Sequence, residues 1–269
     1  MILGASGFLG GSLYKELYRF YDTHGTYHSG RIYDDNQHFH HYDMAEDDLR
    51  ELLYQLKPQW IISALRGNFD AQIEAHQQLL DYALNESCKL IFLSSANVFD
   101  AFTNYPSYEM DKTLSESIYG KLKIRCENLL LRNLPEDRYV IARLPMVFGR
   151  NSPRLKEIKN LILTHEPVEV FPHLIINTTT DSKVSQQIHY IINRDLSGIF
   201  HLGSQDLIHH KELISELVGV METGGTTAQY MNVYTSNFDR YLAVLPKDNK
   251  LPRHLQITND EVVEASQIL

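Results

Sequence analysis

Ile2-Leu3-Gly4-Ala5-Ser6-Gly7-Phe8-Leu9-Gly10 is an apolar run broken by glycines at three-residue spacing. Leu9, Leu13 and Leu17 then fall on one helical face. The pattern reads as strand, tight turn, helix. Glycine at such a turn lets the backbone approach a ligand with no Cβ in the way. The free amides and positive dipole end of the helix behind it favour an anion. A pyrophosphate is the anion this unit takes when it opens a nucleotide-binding sheet. Gly10 would let the helix pack close to the strand. The spacing is Gly-x-x-Gly-x-x-Gly rather than Gly-x-Gly-x-x-Gly, so the generic fingerprint fits imperfectly.

Working outward, Tyr27-His28-Ser29 reads as a second strand ending at Gly30-Arg31. An acidic residue there would bind the ribose 2′-hydroxyl of NAD. None is present, and Ser29 and Arg31 offer a hydroxyl and a charge to a 2′-phosphate instead. NADP(H) is therefore favoured, with NAD(H) as the alternative. A third strand is expected around His38, His40 and His41, with Asp43 at its end as an adenine-facing carboxylate. No carboxylate or cysteine pattern completes a metal site around these histidines, so none is expected.

Glu46–Leu56 is an amphipathic helix stopped by Pro58. Trp60-Ile61-Ile62-Ser63-Ala64-Leu65 is apolar on both faces, as a buried parallel strand requires. A helix over 70–86 and a strand over 89–93 follow. This order implies an open, doubly wound parallel sheet, with ligands at the carboxyl ends of the strands.

The strand at 89–93 runs into Ser94-Ser95-Ala96-Asn97-Val98-Phe99, which places a hydroxyl in the crevice. Tyr119 and Lys123 are four apart and share a helix face. An ammonium beside a phenol favours the phenolate, so Tyr119 is expected to exchange protons near neutral pH. Ser95 would hold the same oxygen. Hydride must come from a cofactor, since no side chain supplies it.

The residues Gly4-x-x-Gly7-x-x-Gly10, Asp43, Ser94–Phe99, Tyr119-x-x-x-Lys123 and Arg143-Leu144-Pro145-Met146-Val147-Phe148-Gly149 together resemble an extended short-chain dehydrogenase/reductase of the NAD(P)-dependent epimerase/dehydratase family. The nearest subgroup is the dTDP-4-dehydrorhamnose reductases and their relatives, similar also at Tyr108-Glu109-Met110-Asp111 and Gly198–Gly203. The resemblance implies a Rossmann-type α/β fold and reduction of a keto group on a nucleotide-activated sugar. It also implies roles for residues. Ser95 would polarise the substrate oxygen, with Ala96 and Asn97 beside it. Tyr119 would be the acid/base, and Lys123 would hold the ribose and tune Tyr119. Gly4, Ser6, Gly7, Phe8 and Leu9 would cradle the pyrophosphate, and Ala64 and Leu65 would line the nucleotide path. Pro145, Met146 and Val147 would border the nicotinamide. A homodimer through helices 70–86 and 115–132 is common in the family.

Departures stand beside the likeness. Ser115 and Ser117 replace the subgroup's proline and asparagine. Ile73-Glu74-Ala75-His76 stands where an asparagine is usual, and Asn177-Thr178-Thr179-Thr180-Asp181 replaces the substrate-side Gly-x-Pro-Thr. Two other readings stay open, an epimerase of the same family and a non-catalytic NADP-binding regulatory protein.

The division expected is 1–148 plus about 178–201 for the cofactor domain. A smaller C-terminal α+β substrate lobe takes 149–177 plus 202–269, with a helix over 153–164, a strand over 168–171, a helix over 209–221, a loop at Gly224-Gly225, a strand near 228–234 and a closing helix near 258–267. With 269 residues and 43% hydrophobic content, the chain has the makings of a globule with a sizeable core. A net charge of -9 with no basic block argues against nucleic acid as a partner. No run of about 18 apolar residues is present, so no membrane span is expected. Cys88 and Cys126 read as two reduced thiols in a cytoplasmic protein.

Overall fold

Neighbouring residues of the central apolar runs face opposite ways, and that decides how the chain is layered. Ile61, Leu90, Phe92 and Ile141 pack on one side of the sheet with Leu49, Leu53, Leu79 and Leu130. Ile62, Ile91, Leu93, Val140 and Ala142 pack on the other with Leu13, Leu17, Val184 and Ile188. A strand buried on both faces has no polar side to alternate, hence the unbroken apolar runs. The computed structural model describes residues 1–30, 33, 35–221 and 228–267; Arg31 and the loop expected at Gly224-Gly225 lie outside them.

The sheet strands are β1 (Ile2–Leu3), β2 (Gly25–Tyr27), β3 (Phe39–His41), β4 (Trp60–Ser63), β5 (Lys89–Ser95), β6 (Tyr139–Leu144) and β11 (Gly198–His201). Their order is β3-β2-β1-β4-β5-β6-β11, and every pairing is parallel. The chain runs outward from β1 to β3 and then from β4 to the other edge, so the switch point lies between β1 and β4. This is the doubly wound, Rossmann-type arrangement. The helices between are α1 (Phe8–Leu17), α2 (Leu49–Leu56), α3 (Phe69–Asn85), α4 (Ile118–Asn133) and α6 (Asp181–Asn193).

The remaining elements are β7 (Met146–Phe148), α5 (Pro153–Leu163), β8 (Val168–Val170), β9 (Leu174–Ile176), β10 (Thr178–Thr180), β12 (Ile208–His209), α7 (His210–Met221), β13 (Tyr230–Asn232), β14 (Arg240–Leu242) and α8 (Asn259–Gln267). Phe148, Leu155, Ile158, Val170, Ile176, Leu213, Leu217 and Val262 share a core apart from that of the sheet.

Several boundaries differ from the sequence reading. The second strand runs over Gly25–Tyr27, not 27–29. Glycine is a poor strand former, but a Cβ at Gly25 would stand 2.5 Å from that of Ala5, so close packing forces it there. Helix α2 starts at Leu49, capped by the Asp48 carboxylate, which accepts from the Arg50 amide at 3.0 Å. Helix α4 starts at Ile118, because residues 115–117 are bound elsewhere. The strands at 174–176, 178–180 and 240–242 went unread. Each is three residues long, too short to show a period.

One buried ion pair crosses from α4 to the sheet. Arg143 on β6 and Glu127 on α4 are 2% and 1% exposed. The guanidinium Nε and Nη2 donate to the two carboxylate oxygens at 3.0 and 2.8 Å. Ser94 Oγ donates to the same carboxylate at 2.5 Å, and Arg143 Nη1 donates to the Glu109 carbonyl at 2.9 Å. Removing one partner strands the other charge in the interior, which costs about 3–5 kcal/mol. Glu127→Ala should therefore lower the stability to urea by about that amount. A loss under ~1 kcal/mol would show that water reaches the pair.

Candidate active site

The first turn of α1 and the carboxyl ends of β1, β4, β5 and β6 enclose a cleft of about 690 Å³. Gly4 has φ +76°, and a Cβ there would stand 2.9 Å from the Ala64 carbonyl oxygen. A side chain at Gly10 would overlap the carbonyl of Gly4. The two glycines therefore let α1 abut the end of β1. The N-cap, Gly7, offers no side-chain cap, so the first-turn amides are left to whatever enters the cleft. Thr26 Oγ1 fixes the loop by accepting from the Gly4 amide at 2.8 Å.

At the other end, Ser95, Tyr119 and Lys123 line the same cleft. Ser95 closes β5 and caps the 3-10 turn 96–99; its Oγ accepts from the Asn97 amide at 3.2 Å and donates to Asn97 Oδ1 at 3.0 Å. Tyr119 sits in the first turn of α4, whose start is held by one carboxylate. Asp100 accepts from Ser115 Oγ at 2.9 Å, Ser117 Oγ at 2.5 Å and the Glu116 amide at 2.6 Å. Ser117 in turn caps α4, accepting from the Gly120 amide at 3.0 Å. The two serines that depart from the family pattern thus form a clamp that positions the tyrosine.

The electrostatics differ from the sequence expectation. Burial raises the Tyr119 phenol above its ordinary value, although 41% of the residue is exposed. A hydrogen bond with Ser95 and the charge of Arg66 act against that rise. Lys123 lies beside the Tyr119 ring but is bound to the strand end. Its Nζ donates to the Leu93 carbonyl at 3.1 Å, and lies 4.7 Å from the Phe92 ring centroid and 5.7 Å from that of Tyr119. Burial lowers Lys123 to about 8. Helical i, i+4 spacing set the two on one face, but Lys123 bends inward beneath the strand end. Phe92 itself is propped edge-on by His76, which burial holds near 4 and hence neutral.

Gly4, Ser6, Gly7, Phe8, Leu9, Asp43, Ala64, Leu65, Pro145 and Val147 also face the cleft. Met146 does not. It lies between Pro145 and Val147 on an extended strand, so it points the other way, into the core of Phe148 and Leu155. Ser29 is exposed and off the cleft wall. Ala96 and Asn97 turn away as well, Ala96 into a cluster with Val98, Phe99 and Val244 and Asn97 back onto Ser95. Asn177–Thr180 are buried at the joint to β7, where Asn177 Nδ2 donates to the carbonyls of Ser204 and Val244 at 3.1 and 2.8 Å.

The fold adds wall residues that the motifs did not mark, among them Tyr42, Arg66, Ser152, Arg154 and Glu157. The Tyr42 hydroxyl and Ser152 Oγ are buried there with no hydrogen-bond partner among the described residues. Such groups cost free energy unless a ligand or water pairs them. A close-packed glycine loop, uncapped helix amides and the orphaned Tyr42 hydroxyl together fit a dinucleotide.

The family model for the RmlD substrate binding domain matches residues 1–217. The chain belongs to that family. Among its relatives, the dTDP-4-keto-6-deoxy-D-glucose reductase of Streptomyces niveus is 28% identical over 126 residues. The match covers 46% of this chain and 43% of that enzyme, so the chain matches less than half of that relative's length. Solved structures share the family's fold. The dTDP-4-dehydrorhamnose reductase of Bacillus anthracis, in complex with NADP, superposes at a TM-score of 0.73 with 16% identity over 98% of this chain and 95% of that one. The dTDP-glucose 4,6-dehydratase of the same organism, in complex with NAD, gives 0.77 with 12% identity over 99% and 94%.

Asp100→Ala should release the start of α4. The expected result is an activity loss of at least about tenfold, with the melting temperature down by a few degrees, since a lost cap costs about 1 kcal/mol. Unchanged turnover would mean that the clamp does not position Tyr119.

Proposed function

We propose that the protein reduces a keto group on a nucleotide-activated sugar with a nicotinamide cofactor, NADP(H) favoured. One observation carries the reading: Ser95, Tyr119 and Lys123 line one end of a cleft whose other end is a close-packed glycine loop at the start of α1. A bound NADPH would supply the hydride.

The protein's own residues do the rest. Tyr119, its phenol raised by burial, is protonated at neutral pH and is set to give that proton to the carbonyl oxygen. This is the state reduction needs; the reverse reaction would need the phenolate. Ser95 Oγ hydrogen-bonds the same oxygen. Lys123 would bind a ribose hydroxyl, and Tyr42 and Asp43, on the same cleft wall, would flank the adenosine end. The lobe presents Ser152, Arg154 and Glu157, which would face the sugar nucleotide. The activities of the relatives, 4-keto sugar reduction in the Streptomyces niveus enzyme above all, support this substrate class. Among the described residues no helix is long and apolar enough to cross a membrane.

The test is direct. Tyr119→Phe should lose about 10²–10⁴ in turnover of a 4-keto sugar nucleotide, while NADPH binding by calorimetry stays within about threefold. Normal turnover in the variant would remove Tyr119 as the acid. Binding of neither NADPH nor NADH by the wild type would overturn the reading, NADPH binding without turnover would favour the NADP-binding regulatory protein, and tighter NADH binding would reverse the cofactor preference. A homodimer through α3 and α4, which expose Leu84, Ile118 and Leu131, belongs to the same proposal. A monomeric mass by light scattering would count against it.

A further inference from the structure

The histidines around β3 form no metal pattern in sequence, but the fold brings them a carboxylate. Asp22, in the connection after α1, places Oδ1 3.5 Å from His24 Nε2 and 3.5 Å from His38 Nδ1. All three donor atoms lie within 4.8 Å of one another. We infer that Asp22, His24 and His38 form a binding site for a zinc-like divalent cation at the edge of the sheet.

The two edges from Asp22 have the spacing of a coordination shell. Ligands about 2.0–2.1 Å from a tetrahedral zinc stand about 3.4 Å apart, close to both measured edges. The backbone holds them there. The register pairs Gly25 with Phe39, so His24 and His38 are adjacent just ahead of β2 and β3. The His24 carbonyl accepts from the Ile2 amide and the His38 carbonyl from the Gly25 amide, both at 2.8 Å. Neither residue can drift without breaking the sheet ladder.

The proton placement also agrees. His24 Nδ1 lies 2.9 Å from His40 Nε2. A neutral imidazole carries one N–H. With that hydrogen on Nδ1 and donated to His40, the Nε2 lone pair of His24 faces Asp22 and His38. Metal-ligating histidines are oriented by this kind of outer partner. Two imidazoles and one carboxylate suit zinc and similar first-row cations rather than magnesium or calcium. The side chains of Asp22 and His38 are 79% and 50% exposed, which leaves a fourth position to water.

The site lies at the opposite end of the strands from the cleft, so it is not catalytic. It clamps the edge strand β3, whose far end delivers Tyr42 and Asp43 to the cleft wall. Cys88 and Cys126 are buried and do not compete for the metal.

Calorimetry with zinc chloride on chelator-stripped protein tests this. One equivalent should bind, and magnesium should give no heat. Zinc at 100-fold over its dissociation constant should raise the melting temperature by on the order of 5 °C. Asp22→Asn and His38→Ala should each weaken zinc binding by at least about 100-fold, and His40→Ala by about tenfold. His41→Ala should change nothing. Melting temperatures without zinc check that each variant folds. No saturable zinc binding by the wild type overturns the inference, as does binding kept within threefold in both ligand variants. Loss in His41→Ala would place the metal with His28, His41 and Asp47 at the other end of β3, and overturns it too.

Discussion

The buried pair of Glu127 and Arg143 is the constraint on which the candidate site rests. Its carboxylate takes three hydrogen bonds, two from Arg143 and one from Ser94. Glu127 is one helical turn beyond Lys123, and Ser94 immediately precedes Ser95. The pair therefore fixes the helix that carries Tyr119 and Lys123 relative to the strand end that carries Ser95. Charges so deeply buried tolerate little displacement, because each would lose the opposite charge that compensates it. The same guanidinium reaches the Glu109 carbonyl, and the Glu109 carboxylate accepts the amides of Lys247 and Asn249 at 3.0 and 3.3 Å. One network thus joins α4, β5, β6 and the connection after β14.

The two ends of the cleft are built by opposite means. At the glycine loop the chain removes side chains so that backbone can come close. At the tyrosine it adds polar side chains, Ser115, Ser117 and Asp100, so that a helix start is held in place. Both serve preorganisation, since reacting groups placed to a fraction of an ångström avoid the cost of ordering during reaction.

Several departures from the family pattern have structural roles. Ser115 and Ser117 clamp α4. His76 is a neutral buried prop beneath Phe92, hydrogen-bonded to Ser63 at 2.9 Å. Asn177–Thr180 stitch β10 to β7 and to the connection around Ser204. These changes rewrite how the scaffold is held and leave Ser95, Tyr119 and Lys123 in one cleft.

Much was legible in the residues alone. The unbroken apolar runs at 60–65 and 89–93 gave buried parallel strands, because a strand covered on both faces has no polar side. The glycine spacing gave the turn, because only glycine admits the approach of α1 to Gly4. The i, i+4 spacing put Tyr119 and Lys123 on one face. The tertiary structure alone decided the rest. It set Lys123 on the Leu93 carbonyl and buried the Tyr119 phenol, with Ser95 and Arg66 acting against the rise that burial causes. It turned Met146 away from the cleft through strand alternation, and it brought Ser152 and Arg154 to the cleft from the start of α5. It also placed Asp22 against His24 and His38. The reason is the same in each case. Periodicity and turn chemistry act between near neighbours in sequence, whereas desolvation, charge and coordination depend on atoms that meet only when distant segments pack.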